Sequence, residues 1–350
     1  MTLLDVLLHP WSLQVAGLVT ILGVFKFCES RAAMRGCHRR AMPPMVDKAL
    51  RVVFFTILVG PFAWFMDTTV LPFPIVIPSC ILYLFTYTDL CEQSGGRKPV
   101  ARKWPVFELL RKYFSVSIVK TADLDPKKQY IFGCHPHGIL PFGTMVGMGY
   151  QFPGGFADLF PGVDYRVLAA TFCFYLPLYR DLLLASGVVD AARYSAHKIM
   201  RNGYSITLVP GGATEALYAN PDKDVVVLKK RRGFVRLALE HGASLVPVFG
   251  FNENNTFKQM ASDNKTMHAL KKQFQSIFGI SLPLITNIIP RRTKVTVVVG
   301  RPIEVPKSPE PSDEQVQKYL DLYIEGLKQL YRENKDKYNE PSTKPDLEVL

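Results

Sequence analysis

The 350 residues suit one catalytic-sized domain with accessory segments, which excludes an array of independent domains. A hydrophobic share of 48% and a mean hydropathy of +0.10 are high for a wholly soluble chain that is also 21% charged, and the apolar residues crowd the first quarter. The net charge of +12 suits nucleic acid, anionic lipid headgroups or a polyanion such as coenzyme A; without zinc-finger spacing, a basic zipper or an RNP-like aromatic motif, nucleic acid is set aside.

In chain order, the first apolar segment is Leu13 to Phe27, led by Pro10 and Trp11. It lacks the basic start and small-residue cleavage site of a secretory signal, and either spans a membrane or lies in its interface. Between Arg51 and Asp89 the one charged side chain is Asp67. The two halves, Val52 to Met66 and Val70 to Thr88, are short of or near the ~20 residues that cross ~30 Å of hydrocarbon, and Pro72, Pro74 and Pro78 interrupt the second. A hairpin that enters and leaves on one side is expected. Basic residues flank both ends (Arg39, Arg40, Lys48 and Arg51 before; Arg97, Lys98, Arg102 and Lys103 after), which places both on the cytosolic face. The six cysteines form no CxxC and read as reduced.

From about Trp104, short apolar runs alternate with amphipathic stretches. Tyr130–Cys134, Arg166–Phe174, Ser205–Val209, Ser244–Phe251 and Lys294–Val299 read as buried strands, Ser195–Asn202 and Gly233–His241 as helices. The expectation is an α/β domain with a mostly parallel central sheet. Ser312 and Gln315 form a capping box for a long final helix to about Tyr338, and the tail from Pro341 reads as polar and loose.

Chemistry-bearing residues fall just past the strands, where open α/β sheets place ligands. His135-Pro136-His137-Gly138 follows the first strand, and Pro210-Gly211-Gly212-Ala213-Thr214-Glu215 follows the run Ser205–Val209. Pro136 keeps the chain extended between the histidines, and Gly138 permits a sharp exit. A histidine beside a carboxylate suits acyl transfer to an alcohol, with the imidazole taking the hydroxyl proton. Alone, a His-x-His pair is more often a packing or metal feature than a catalytic one, and a Gly-Gly turn before Glu is usually just a turn. Cys134, inside a strand, reads as core, and His241 as structural. No Gly-x-Ser-x-Gly elbow occurs, which disfavours a serine hydrolase.

Three stretches carry a resemblance: Tyr-Ile-Phe-Gly-Cys-His-Pro-His-Gly-Ile at 130–139, Val-Pro-Gly-Gly-Ala-Thr-Glu at 209–215, and the run from Arg231 to Asn254. In order and spacing the chain resembles the type-2 diacylglycerol acyltransferase family, with its monoacylglycerol and wax-alcohol branches, over roughly Arg51 to Tyr338. That family looks like a distant branch of the glycerolipid acyltransferases, which place an acidic residue four positions after their histidine. Here those positions are Pro141 and Ile139, so Glu215 is the expected carboxylate. Many members read Phe-Gly-Glu-Asn where this chain has Phe251-Asn252-Glu253-Asn254.

The resemblance implies a glycerolipid-acyltransferase-like α/β domain at 90–340, cytosol-facing, preceded by a segment at 1–50 and the membrane hairpin at 51–89, and followed by the tail at 341–350. It implies transfer of a fatty acyl group from acyl-coenzyme A, as substrate and without a further cofactor or metal, to the hydroxyl of diacylglycerol. Monoacylglycerol and long-chain alcohols are the alternative acceptors. The setting is the endoplasmic reticulum membrane or lipid-droplet surface, with homo-oligomerisation left open. His137 is the expected base and Glu215 its orienting partner, with His135 behind them or as the alternative base. Gly211 and Gly212 are expected to offer backbone donors near the thioester oxygen. Lys229, Lys230, Arg231 and Arg232, ahead of Gly233 and Phe234, are expected to bind coenzyme A phosphates at a helix start. Asn252, Glu253 and Asn254 are expected to line the site. Competing classes are a metal hydrolase using His135, His137 and Glu215, and a non-catalytic droplet-coating protein.

Overall fold

A computed structural model describes residues 73–258, 289–340 and 344–350, with Met45, Lys48, Val52 and Asn287. Its helices are α1 (Phe73–Tyr87), α2 (Pro105–Tyr113), α3 (Phe142–Gly149), α4 (Phe156–Leu159), α5 (Tyr179–Ala185), α6 (Arg193–Arg201), α7 (Ala213–Ala216), α8 (Gly233–His241) and α9 (Asp313–Tyr338). The strands are β1 (Ser117–Lys120), β2 (Tyr130–His135), β3 (Tyr165–Ala169), β4 (Val188–Asp190), β5 (Ser205–Leu208), β6 (Val225–Val226), β7 (Ser244–Phe251), β8 (Thr296–Val299) and β9 (Glu348–Val349).

Seven strands form one sheet in the order β1-β8-β7-β2-β5-β3-β4. The block β7-β2-β5-β3-β4 is parallel throughout; the sheet reverses once, where β8 pairs antiparallel with β7. This is the mostly parallel α/β sheet that the alternation of runs predicts. Strands β2 and β7 are buried over their whole lengths, as central parallel strands covered on both faces must be. The two-residue period sends Ile131 into one core cluster, with Leu245, Leu239 and Leu320, and Tyr130, Phe132 and Cys134 into the other, with Val246, Val248 and Phe156. Each aromatic or aliphatic side chain buried this way contributes about 1.5–3 kcal/mol.

The run Arg166–Phe174 is shorter as a strand than its apolar pattern suggests. Its ladder to β4 ends at Ala169, and residues Thr171–Tyr175 tighten into a 3-10 turn. Continuous apolarity reports burial, not which backbone partner is available.

Helix α9 covers the Ile131 face through Val316, Leu320, Tyr323, Leu327 and Leu330, a spacing of alternating fours and threes. Ser312 caps it by accepting from Gln315 N at 3.2 Å, a contact worth about 1 kcal/mol. The expected box is half made, because Gln315 accepts from Ser308 Oγ instead of reaching back.

The tail is docked, not loose. Lys344 is buried beside Asp224 at 3.5 Å, and β9 pairs in parallel with β6. Leu350 O accepts from the Leu228 and Lys229 amides at 2.8 and 2.9 Å. Polarity in this segment serves backbone pairing and one buried ion pair, which composition cannot distinguish from solvation.

Leu13 to Phe27, and the hairpin from Val52 to Pro72 save for Val52 itself, lie outside the described residues. The second hairpin arm is represented by α1, whose end is tied to the domain: Tyr87 donates to Tyr175 O at 2.6 Å, and buried Arg180 donates to Thr86 O at 3.0 Å. Among the described residues no helix is long and apolar enough to cross a membrane. Ile81, Leu82 and Phe85 on α1 stay exposed, at 52, 70 and 72%.

Candidate active site

Strands β7, β2 and β5 are neighbours and parallel, so the segments leaving their carboxyl ends emerge side by side. Those segments are Asn252–Asn255, His135–Gly138 and Pro210–Glu215. Three stretches far apart in sequence therefore meet at one edge of the sheet.

Glu215 joins two of them. It is 1% exposed and accepts from His137 N at 2.9 Å and from Val227 N at 3.0 Å, with His135 Nδ1 3.4 Å from Oε1. The ring facing Glu215 thus belongs to His135, whereas His137 is held through its backbone amide. This corrects the expected pairing of Glu215 with the His137 imidazole. His135 is fully buried, and its Nε2 lies 3.1 Å from the Tyr323 hydroxyl. His137 is half-buried, and its Nδ1 lies 3.0 Å from Gly138 O. A carbonyl only accepts, so neutral His137 carries its proton on Nδ1 and presents a lone pair at Nε2. The His135–Pro136 peptide is cis, and Gly138 adopts φ 59°. The site of Gly138 also needs a small residue, since a Cβ there would lie 3.2 Å from Glu253 Cγ.

The Gly-Gly turn shapes the carboxylate's seat. A Cβ on Gly211 would lie 2.1 Å from Glu215 Oε1. Gly212 has φ 55°, and its amide already donates to Val209 O at 3.0 Å, so it is not the free donor that was expected. Arg231 also differs from expectation. Its guanidinium donates to Gly211 O at 3.1 Å and Thr214 Oγ1 at 2.7 Å, pinning the turn from outside. Lys229, Lys230 and Arg232 remain exposed ahead of α8, and Gly233 opens that helix. Phe234 is buried edge-on to the Tyr323 ring, centroids 4.9 Å apart, and so packs the core instead of meeting substrate.

Residues Asn252 to Asn254 support the site from behind and do not line it. All three are at most 2% exposed. Glu253 accepts from Gly143 N, Thr144 N and Thr144 Oγ1 at 2.9, 2.8 and 2.9 Å, capping the start of α3 from another element. Burial pushes its carboxyl up to about 7, against the lowering effect of those three donors. Asn252, at φ 70°, donates to Lys294 O and Tyr338 O, and Asn254 donates to Asp224. Cys134 sits in the core on the sheet face opposite His135, where burial raises its thiol. His241 lies at the end of α8, its Nε2 3.0 Å from His197 Nδ1.

The ring of His137 is turned to Gly138, so His135, His137 and Glu215 do not converge on one point. Asp89, Cys91 and Glu92 do bring ligand-type atoms together. The buried guanidinium of Arg180 serves that cluster, donating to Asp89, to Glu92 at 2.8 Å and to Cys91 Sγ at 3.5 Å. A cavity of about 680 Å³ opens at the other end of the sheet, near the starts of β3 and β5. Its arginines are committed to the fold: Arg102 donates to Ser186 O and Tyr165 O, and Arg166 to Gly95 O. The buried Glu215 carboxylate and the half-buried His137 ring lie together at the histidine edge, which makes it the candidate site.

Sequence reasoning missed Tyr323, the Val227 amide and the role of Gly133. The available signal was Gly133 itself, a glycine inside a central strand, which marks close approach by another group.

A diacylglycerol acyltransferase family model matches residues 68–349. Diacylglycerol O-acyltransferase 2B of Umbelopsis ramanniana is 38% identical over 285 residues, 76% of this chain and 81% of that one. Human 2-acylglycerol O-acyltransferase 3 is 36% identical, covering 84 and 91%, and human acyl-CoA wax alcohol acyltransferase 1 is 32% identical, covering 82 and 90%. Among solved structures, the 1-acyl-sn-glycerophosphate acyltransferase of Thermotoga maritima aligns over 81% of this chain and 97% of its own, with 14% identity and a TM-score of 0.38.

Proposed function

We propose that this chain, which belongs to the diacylglycerol acyltransferase family, transfers a fatty acyl group from acyl-coenzyme A to the free hydroxyl of diacylglycerol with His137 as general base. The observation that carries the assignment of the base is the Nδ1–Gly138 O contact of a half-buried ring. It leaves Nε2 with no hydrogen-bond partner among the described residues and with the lone pair a base needs.

In the reaction, Nε2 takes the acceptor's hydroxyl proton as that oxygen attacks the thioester carbonyl. The tetrahedral intermediate then expels the thiolate by breaking its C–S bond, and the imidazolium returns the proton to sulfur. Such proton transfer contributes roughly 10²–10⁴-fold. A thioester is already activated, so neither an acyl-enzyme nor a further cofactor is invoked. Glu215 fixes the base by gripping the His137 amide, and its charge supports the imidazolium through space. Lys229, Lys230 and Arg232, ahead of α8, are the cations suited to the phosphates of coenzyme A.

We place the enzyme on the cytosolic face of the endoplasmic reticulum membrane or on lipid droplets. Supporting this are the apolar stretch from Val52 to Thr88, its basic flanks and the exposed Ile81, Leu82 and Phe85 of α1.

Membranes containing the full chain, supplied with labelled acyl-coenzyme A and each of three acceptors, test the proposal. Diacylglycerol is expected to turn over fastest; preference for monoacylglycerol or a fatty alcohol would overturn the acceptor. His137→Ala is expected to lose at least about 100-fold in kcat, and near-normal turnover would remove His137 as the base.

A further inference from the structure

On the sheet face covered by α9, alternate residues of β2 are Ile131, Gly133 and His135. Helix α9 lays Tyr323 across this row, and the absent side chain of Gly133 makes room for it. A Cβ on Gly133 would lie 2.0 Å from the Tyr323 hydroxyl and 2.9 Å from its ring carbon Cζ. The hydroxyl passes through that gap, donates to Gly133 O at 3.0 Å and stands 3.1 Å from His135 Nε2. Phe234 braces the ring from the side. Tyr323 and His135 are fully buried and Glu215 nearly so.

The hydrogens in this chain can be counted. A phenol has one O–H, and the Gly133 carbonyl can only accept it. The oxygen of Tyr323 then accepts from His135, which puts a hydrogen on Nε2. On the other side of the ring, Nδ1 faces Glu215 Oε1 at 3.4 Å. Both carboxylate oxygens already accept backbone N–H groups, from Val227 and His137, as an ionised carboxylate does. Two acceptors facing each other in a dry interior would repel, so a second proton lies between Nδ1 and Oε1. His135 and Glu215 together thus form a net-neutral pair, which removes the cost of an isolated buried carboxylate. Burial also raises the Tyr323 phenol well above its ordinary range, so the hydroxyl stays intact across any working pH.

We infer that Tyr323 is a positioning residue that keeps both ring nitrogens of His135 protonated, so that His135 is the fixed counter-charge of Glu215 and the proton-accepting role falls to His137 alone. This rests on the general-base reading above and divides the labour between the two histidines. It also gives Gly133 and Phe234 a function in the same device.

The test is Tyr323→Phe in the full chain in membranes, with kcat, KM for acyl-coenzyme A and the pH–rate profile measured at equal protein. Loss of a hydrogen bond to a charged group in this chain lowers kcat about tenfold to a hundredfold, with KM for acyl-coenzyme A little changed. Without an acceptor for Nε2–H, His135 keeps one proton, on Nδ1, and Glu215 is left uncompensated. The added negative charge beside His137 moves the acid limb of the profile to higher pH, by roughly one unit. Gly133→Ala, which keeps the tyrosine but displaces its hydroxyl, is the second variant and gives the same paired change if Tyr323→Phe does not accumulate. In the Tyr323→Phe background it adds less than it costs alone.

An unmoved acid limb, whether or not kcat falls, reduces Tyr323 to packing and overturns the inference. The base assignment fails separately: near-normal turnover in His137→Ala removes the base, whereas a shifted limb in Tyr323→Phe still supports the His135 chain.

Discussion

Gly211→Ala adds one methyl group, outside the reacting atoms, yet it is predicted to disable the enzyme. The new Cβ would lie 2.1 Å from Glu215 Oε1 and 2.2 Å from its carboxyl carbon. A free glutamate would swing aside at little cost, but this one is held by the His137 and Val227 amides at 2.9 and 3.0 Å. Moving it strands two partly buried backbone donors, each costing about 1–3 kcal/mol. The move also takes the carboxylate away from the buried His135 ring. A combined penalty of about 2–6 kcal/mol, felt at the backbone of His137, corresponds to roughly 30-fold to more than 10³-fold in rate. The assay is acyl transfer to diacylglycerol in membranes at matched protein, beside Gly212→Ala. That neighbour has φ 55° but open space around its Cβ, the nearest atom being Val209 O at 3.9 Å. With ψ −149° that backbone lies in a region kept essentially for glycine, so the variant should lose about 1–3 kcal/mol of stability through strain, with kcat of the folded protein largely kept. Gly211→Ala within about threefold of wild type would refute the claim that the glycine exists to seat Glu215.

Two further predictions follow from buried charges behind the site. Glu253 has its carboxyl raised from 4.5 to about 7, so the folded state binds more protons than the unfolded between those values. Its contribution to stability is therefore fully present below about 4.5 and is lost as pH rises through 7. Glu253→Gln should gain thermal stability relative to wild type between pH 5 and about 7.5, and melting curves of detergent-purified protein showing a constant difference would contradict this. Lys344→Met leaves buried Asp224 with Asn254 and Tyr331 as its side-chain donors among the described residues. About 3 kcal/mol of stability should go, with the tail opening to protease, and unchanged proteolysis of residues 344–350 would show that the ion pair does not hold it. Activity should fall alongside, because β9 supports one edge of the segment whose Val227 amide binds Glu215 from the other.

How far the sequence could be read depended on the range of the interaction concerned. Strands β2, β5 and β7 and helices α8 and α9 were legible because apolar period, caps and strand-end glycines are local signals. Strand β4 has three residues, too few for a period to register, and β1 is nowhere fully buried, so it carries no buried apolar run. Two of the three stretches that carry the family resemblance, through His135–Gly138 and Gly211–Glu215, do meet, since parallel neighbours deliver their following loops to the same edge. Their wiring was not legible. A carboxylate facing a His-x-His motif can bond either ring or the backbone between, and only the packed backbone decides that Glu215 takes the ring of His135 and the amide of His137.

Tyr323 shows the limit most clearly. It lies 188 residues from His135 and reads in sequence as one more core position of an amphipathic helix. The sequence by itself determined that β2 carries a glycine two residues before a histidine, and so that something must come close there. Which group comes close is a matter of how α9 lies on the sheet. That placement is set by the summed burial of many side chains, and no local pattern encodes it.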